Sequence, residues 1–253
     1  DVLLSKEFAA QRRAQMVDQA FLELPVPGYI AGYSAYTGTS EGDPFSEMNP
    51  LEIALAEANP GQDTSQLVVL DSSGNSVVMT PSDFPLTPMV TGTGINLGNR
   101  MNQFRLDEHS VNSLQPGKRP RVTPHAVIVF KNGEYFMSFS TPGGDMQAQA
   151  LVQVFLNLVI FDMDVQEAIS APRFYDISSP ESFAPHDSFP GTIRLEADLY
   201  DISAEGLAGY GYTVERDEMW NKDFGAVGAI LIAPDGLIHA GSDPREETTA
   251  GGR

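Results

Sequence analysis

A hairpin that leads directly into a long amphipathic helix limits the fold of this chain more than any other feature. Two apolar segments, 125–130 and 134–140, flank a turn that contains Asn-Gly, a strong short-range signal for a β-hairpin. A Gly-Gly turn follows. Residues 146–161 then carry apolar side chains at helical spacing on one face, which we expect to be buried: Leu151, Val154, Phe155, Leu158 and Val159. A sheet covered by helices is therefore expected.

The rest of the chain predicts more elements of both kinds. Residues 67–70 are typical of a buried strand, which the turn 72–75 connects to a second strand at 76–80. Further strands are expected at 192–196, 212–215, 226–233 and 237–240, and helices at 3–19, at 164–170 with Asp164 as N-cap, and near 204–208. The predicted fold class is α+β, an αββα sandwich with antiparallel sheets between helical layers.

Residues 25–60 separate the first helix from these strands. They are rich in Gly, Pro, Ser and Thr, which is typical of a long surface loop or linker. A short helix at 50–58 is expected to interrupt this loop, with Asn49 as its N-cap and Pro50 at the first helical position.

The composition argues against several classes of partner. Among 253 residues, 34 Asp and Glu outnumber 15 Lys and Arg, so the surface repels phosphate backbones and nucleic acid is not an expected partner. The absence of cysteine excludes disulfides, thiolate nucleophiles and Cys-ligated metals. The apolar run 150–160 is too short for a membrane span, and the N-terminus lacks the apolar segment of a signal peptide. Periplasmic, extracellular and cytoplasmic locations stay open.

No pattern for a metal, a cofactor or a nucleotide is found in the sequence. The four histidines are scattered and lack the spacing of metal ligands. The Gly-rich stretch 92–98 does not match a nucleotide-binding fingerprint between a strand and a helix. A G-x-S-x-G nucleophile turn is also absent.

Two features could carry chemistry. Gly143-Gly144 precedes the long helix, where consecutive amides could hold an oxyanion, although the glycines could equally serve only a tight turn. Thr64 lies at the start of a predicted strand. A hydroxyl needs a base to attack, and a threonine at a new N-terminus carries one in its own α-amine. An internal Thr64 lacks this base and would then be structural.

Six segments, taken in order, carry a resemblance to a known family: 63–80, 92–104, 116–133, 141–159, 167–174 and 241–247. They resemble the small subunit of γ-glutamyltranspeptidases. The similarity is greatest to γ-glutamyltransferase-like proteins with a GGDMQ-type motif, here Gly143 to Gln147, a branch that also resembles cephalosporin acylases. Residues 3–18 resemble the end of the large subunit of the same family.

The resemblance implies an N-terminal nucleophile hydrolase that is made as one precursor and cleaves its own Asp63–Thr64 bond. Residues 1–63 would be the tail of the large subunit with a processing linker, and 64–253 the catalytic small-subunit domain. The freed amine of Thr64 would activate its hydroxyl for attack on a γ-glutamyl or similar amide. The acyl group would pass to water or to an acceptor amine, and no cofactor is implied.

The resemblance also assigns roles to single residues. Gly143 and Gly144 match the pair whose amides stabilise the oxyanion, and Ser82 matches a second hydroxyl that orients the nucleophile. Thr123 falls on one of two adjacent serines that bind the α-carboxylate of the substrate.

Several positions depart from the family pattern. The other serine of that pair is Val122, and an asparagine of the family falls on Phe84. A glutamine and an aspartate of the family fall on Arg100 and Gln103, so Gln103 loses a charged contact with the substrate's α-ammonium. Arg100 is expected to favour a substrate carboxylate, as in a glutaryl group.

Two functions follow as alternatives. The chain belongs either to a self-processing amidohydrolase or acyltransferase, or to an uncleaved, non-catalytic relative that acts as a binding or structural module. Most of the family's large subunit is missing from these 253 residues, including the region that supplies an arginine for the substrate. The implied partner is therefore the large-subunit portion of the same precursor.

Overall fold

The structure is a computed structural model that describes residues 2–22, 28, 30–31, 63–83, 88–108 and 110–252. The linker expected at 25–60, with its short helix after Asn49, lies almost wholly outside the described residues, as do Phe84 and His109.

The described residues form both helices and strands. In chain order they are α1 (Lys6–Arg13), β1 (Asp63–Thr64), β2 (Leu67–Leu70), β3 (Ser76–Met79), β4 (Ser82–Asp83), β5 (Met89–Val90), β6 (Ile95–Asn96), β7 (Ala126–Lys131), β8 (Glu134–Ser140), α2 (Met146–Val159), α3 (Val165–Ser170), β9 (Phe174–Asp176), β10 (Thr192–Glu196), α4 (Ala197–Gly209), β11 (Thr213–Asp217), β12 (Gly228–Ile232) and β13 (Ile238–Ser242). Short 3-10 helices lie at Val2–Leu4, Arg100–Gln103 and Lys222–Phe224.

The central sheet has four antiparallel strands in the order β13-β12-β8-β7. The predicted hairpin forms β7 and β8, and both residues of its turn have positive φ, 56° at Asn132 and 87° at Gly133. Such a turn matches the twist of the two strands. The hairpin prediction is therefore confirmed.

Successive side chains of β8 point to opposite faces of the sheet, and each face packs against a further layer. Met137 and Phe139 point towards α2 and α3 and join a buried apolar core with both helices. Ser138 faces the other way, where its hydroxyl lies 2.7 Å from that of Ser76 on the β2–β3 hairpin. The layers are thus helices, sheet and hairpin. The second helical layer of the expected sandwich is not seen among the described residues.

The buried faces differ in detail from the prediction. Leu67 and Val69 keep 48% and 45% of their surface exposed, so β2 is half-buried rather than buried. On α2 the buried face starts earlier, at Met146 and Gln147, and Val159 at its end is 41% exposed. The expected helix at 3–19 is confined to α1, which Ser5 caps by accepting a hydrogen bond from Phe8 N at 3.1 Å.

A second sheet has the order β11-β10-β9, and one of its strand pairs corrects the expectation of antiparallel sheets. β10 pairs antiparallel with β9 but parallel with β11. A parallel pair needs a crossover connection. α4 supplies it and runs from Ala197 to Gly209, which is longer than the segment predicted near 204–208.

Two further segments that the sequence analysis discussed have defined local structures. Asp164 caps α3 in a full capping box, in which its carboxylate accepts from Glu167 N and the Glu167 side chain accepts from Asp164 N. The Gly-rich stretch 92–98 forms the turn of the β5–β6 hairpin and its second strand. In the described part of the chain, no helix is both long and apolar enough to cross a membrane.

Candidate active site

Thr64 and Ser82 lie directly opposite each other on two short strands. β1 pairs antiparallel with β4 in a register that matches Thr64 with Ser82. The amide of Ser65 donates to the carbonyl of Pro81 at 2.8 Å and holds the two segments together. The two hydroxyl oxygens are 3.1 Å apart. The second hydroxyl expected beside Thr64 therefore lies within hydrogen-bond distance of it.

Arg100 contacts the same pair from the 3-10 helix. Its Nη2 donates to Ser82 Oγ at 2.9 Å and its Nη1 donates to Thr123 Oγ1 at 3.0 Å. The guanidinium carbon lies 5.3 Å from the ring centroid of Phe183, in cation–π range. Burial lowers the pKa of Arg100, but an arginine side chain stays protonated in a protein.

Gln103 and Thr123 lie behind Arg100. Both are buried, with 0% and 3% of their surface exposed. In the amide orientation that satisfies its neighbours, Gln103 accepts from Arg100 Nη1 at 3.0 Å and donates to the carbonyl of Arg121 at 2.7 Å. The structure thus brings the three predicted substrate-binding residues together. Of the three, Arg100 contacts Ser82, and none of them is among the described residues that line the cleft in front of Thr64.

Gly143 and Gly144 form the other side of the site. Their φ values are 117° and 55°, a backbone that favours glycine. Their carbonyls accept from Met146 N at 2.9 Å and Gln147 N at 3.3 Å, which starts α2. Within the described part of the chain, neither glycine amide has a hydrogen-bond acceptor. Both glycines line the cleft together with Thr64, so these amides are candidates for oxyanion donors.

The glycine turn rests on a buried loop. A Cβ on Gly143 would lie 3.5 Å from the Cα of Gly225. Thr141 fixes this contact, because its hydroxyl donates to the carbonyl of Pro142 at 2.9 Å and accepts from Ala226 N at 2.8 Å. Arg173 Nη1 donates to the carbonyl of Phe224 at 2.9 Å from below. The turn is therefore held before any substrate binds.

We expect Gly143→Ala to lower kcat about 100-fold, the usual loss when one oxyanion donor is misplaced. Alanine rarely adopts the φ of 117° at this position, so relief of the strain rotates the adjacent amide. Gly144→Ala should lose less, because its φ of 55° lies in the left-handed helical region. Steady-state kinetics of the complete protein measures both effects.

Gly74→Ala is the matched control for these variants. Gly74 has a comparably positive φ of 82°, and a Cβ there would meet nothing within 4 Å. It lies in the turn between β2 and β3 and not at the cleft. Equal activity of Gly143→Ala and Gly74→Ala would remove the oxyanion assignment.

The cleft in front of Thr64 has a volume of about 370 Å³ and a charged lining. The residues around it are Thr64, Pro142, Gly143, Gly144, Asp145, Tyr175, Glu181, Phe183, Arg194, Lys222, Asp223 and Glu246. A second cavity of about 310 Å³ shares four of these residues: Asp145, Tyr175, Glu181 and Arg194. The nucleophile candidate therefore faces a cleft that can hold charged groups of both signs.

Asp145 ties a loop across this cleft. It precedes α2, but its carboxylate does not cap that helix. It accepts hydrogen bonds from Ser182 N at 2.6 Å and from the Ser182 hydroxyl. Its Oδ1 also lies 3.6 Å from Arg121 Nη2. Ser182 is next to Phe183, the residue whose ring contacts Arg100. The loop at 181–183 thus connects the cleft with Arg100.

The charges in the cleft influence one another. Desolvation raises the pKa of Glu181, and the nearby carboxylates of Asp145 and Asp187 raise it further. Burial raises the pKa of the Tyr175 hydroxyl, and Glu181 adds to this effect. Hydrogen bonds from Arg194 to Asp217 at 2.9 and 2.6 Å raise the pKa of Arg194. Arg194 therefore remains a fixed cation at the edge of the cleft.

The sequence indicated only part of this lining. It indicates Gly143, Gly144 and Thr64, because a glycine pair and a hydroxyl at the start of a strand are local signals. Tyr175, Glu181 and Arg194 come from three separate segments and have no common spacing. Among the described residues, no group of three or more His, Asp or Glu side chains is placed to hold a metal ion.

Comparison with known proteins gives a consistent set of matches. The family model described as gamma-glutamyltranspeptidase matches residues 1–252. The glutathione hydrolase-like YwrD proenzyme of Bacillus subtilis is 30% identical over 98% of this chain and 46% of its own length. The chain thus spans about half the length of this curated relative.

Two solved structures are similar over most of the chain. A gamma-glutamyltranspeptidase from Pseudomonas nitroreducens, solved with L-DON, has a TM-score of 0.61 and 25% identity, over 75% of this chain and 100% of that one. The cephalosporin acylase from Bacillus halodurans has a TM-score of 0.68 and 25% identity, over 97% of this chain and 38% of the other. The matched proteins thus include a glutathione hydrolase-like proenzyme, a gamma-glutamyltranspeptidase and a cephalosporin acylase.

Proposed function

Because the chain belongs to the gamma-glutamyltranspeptidase family, we propose that it carries the nucleophile of a self-processing amidohydrolase or acyltransferase. One observation supports this proposal above the others. Thr64, with Ser82 at 3.1 Å, lines the same cleft as the two glycines whose amides can bind an oxyanion. Nucleophile, orienting hydroxyl and oxyanion donors are the parts that acyl transfer requires.

Activation begins with the Asp63–Thr64 bond. In the uncleaved chain the nitrogen of Thr64 is an amide and cannot take a proton. Cleavage converts it to an α-amine, whose free pKa of about 7.7–8.0 suits a general base near neutral pH. In self-cleavage the Thr64 hydroxyl attacks the carbonyl of Asp63, the C–N bond breaks as the acyl group moves from nitrogen to oxygen, and water hydrolyses the resulting ester. The freed hydroxyl and α-amine of Thr64 then act on the substrate.

The reaction proceeds through an acyl-enzyme. The α-amine takes the proton of the Thr64 hydroxyl while Oγ1 bonds to the amide carbon of the substrate, and the Gly143 and Gly144 amides stabilise the oxyanion. The intermediate expels the amine, which leaves with the proton from the Thr64 ammonium. Water or an acceptor amine then attacks the ester and releases the acyl group.

The substrate is proposed to be a γ-glutamyl-type or glutaryl-type amide. The relatives of the chain include a glutathione hydrolase-like proenzyme and a cephalosporin acylase. Lys222 and Arg194 offer cations and Asp145, Asp223 and Glu246 offer carboxylates around the cleft. Such a lining suits charged groups on the acyl part or the leaving amine. The large-subunit portion of the precursor is proposed to complete the pocket.

The chain masses of the purified complete protein test this proposal. We expect purification to yield two chains, the smaller of which begins at Thr64 by N-terminal sequencing. Brief incubation with a γ-glutamyl or a glutaryl anilide should add one acyl mass to that chain and release the aniline. A precursor that stays intact on long incubation, with no adduct, would instead support the non-catalytic module.

A further inference from the structure

We propose that Arg100 is a positioning residue that turns the Ser82 hydroxyl towards Thr64. The inference rests on the proposed function and adds a role that is separate from substrate binding. Its basis is a continuous set of contacts, from Thr123 through Arg100 to Ser82 at 2.9 Å and from Ser82 to Thr64 at 3.1 Å.

The direction of these hydrogen bonds follows from the chemistry of the guanidinium group. Arginine has only donors, so Ser82 Oγ accepts from Arg100. The positive charge polarises Ser82, which makes its oxygen a poorer acceptor and its proton a better donor. Thr64 Oγ1 lies within reach of that proton. Ser82 therefore donates to Thr64, and the Thr64 proton is left to face the α-amine.

This orientation helps at the moment of attack. As Thr64 loses its proton, negative charge develops on Oγ1, and a hydrogen bond from Ser82 strengthens with it. The Arg100 cation lies one hydrogen bond farther away and stabilises the same charge. The guanidinium is partly buried and lies against the ring of Phe183, so solvent screens it less than it would a surface arginine.

The far side of Arg100 is fixed by buried groups. Thr123 and Gln103 both accept from Nη1 at 3.0 Å, and both are almost fully buried. These contacts limit the rotation of the guanidinium and keep Nη2 on Ser82. The residues expected to bind substrate thus have a second function, which is to hold Arg100 in place.

Kinetics separates this role from binding of a substrate carboxylate. The probes are glutaryl p-nitroanilide and the uncharged glutaramyl p-nitroanilide, used with the complete, processed protein. A positioning role predicts that Arg100→Gln lowers kcat about 10- to 100-fold for both probes, with little change in KM. Arg100→Lys should recover part of kcat, because a lysine keeps the charge but not the two-pronged geometry.

A double-mutant cycle with Ser82→Ala provides the second readout. Because Arg100 acts through Ser82, the Arg100→Gln change should cost little further kcat once the hydroxyl is gone. Arg216→Gln is the control, since Arg216 is an exposed arginine paired with Asp201. It removes the same charge and should leave kcat unchanged. Thermal unfolding confirms that each variant is folded.

Three results would overturn the inference. The first is an unchanged kcat in folded Arg100→Gln. The second is an effect of Arg100→Gln that is confined to the KM of the glutaryl probe. The third is a kcat loss on Arg100→Gln that is as large in the Ser82→Ala background as in the wild type. Failure of the proposed function is seen separately, because the wild type would then stay uncleaved and form no adduct, and Thr64→Ala would behave identically whatever residue stands at position 100.

Discussion

Replacing Thr64 by alanine in the complete protein is expected to abolish cleavage at Asp63–Thr64 and to lower kcat by about 10³-fold or more. The variant lacks the only atom that can bond to the acyl carbon in the proposed mechanism. Ser82 lies 3.1 Å away, but its register places it on the opposite strand, without an α-amine that could activate it. Intact mass and anilide release measure the two effects.

Two controls make this expectation specific to the nucleophile. Ser65→Ala removes an adjacent, exposed hydroxyl from the same segment and should process and turn over normally. Thr64→Ser keeps the hydroxyl and loses only a methyl group, so it should still be cleaved, although more slowly. If Thr64→Ala is cleaved as fast as Ser65→Ala, the nucleophile lies elsewhere and the proposed function is wrong.

Local signals in the sequence are sufficient for the elements that position the site. The Asn-Gly turn at 132–133 and the glycine pair at 143–144 act over a few residues, and both the hairpin and α2 follow as expected. The capping box of Asp164 and Glu167 is also local, because its two hydrogen bonds join residues three apart. In such places the backbone preference and the tertiary structure agree.

Non-local features could not be predicted in the same way. The parallel pairing of β10 with β11 depends on which edge α4 reaches, and no periodicity encodes this. The placement of Arg100 beside Ser82 joins residues 18 positions apart. The sequence predicts that Arg100 contacts a substrate carboxylate, and this stays a prediction. The sequence carries no information on the protein groups that surround the guanidinium, so its contact with Ser82 could not be predicted. The role of a charged residue is therefore decided by what packs around it.

The largest effect on stability is expected at a buried ion cluster that lies below the glycine turn. It consists of Arg173, Glu196, Asp243 and Arg245, whose side chains are at most 1% exposed. Asp243 contacts both arginines, with Arg173 Nη2 at 2.6 Å and Arg245 Nη1 at 3.0 Å, and accepts from Val227 N at 2.7 Å. Two cations and two carboxylates balance in a region that excludes water.

Asp243→Ala should therefore lower the free energy of unfolding by about 3–5 kcal/mol, because it leaves two buried arginines with one carboxylate. Burial, with Arg245 adding to it, already lowers the pKa of Arg173 to about 10 against the opposing effect of Asp243. Asp201→Ala breaks the exposed pair with Arg216 and should cost less than about 1 kcal/mol. Urea unfolding of the complete protein compares the two variants, and equal midpoints would contradict the expectation.

Since Arg173 also holds the loop against which Gly143 packs, kcat should fall in Asp243→Ala even under conditions where it remains folded.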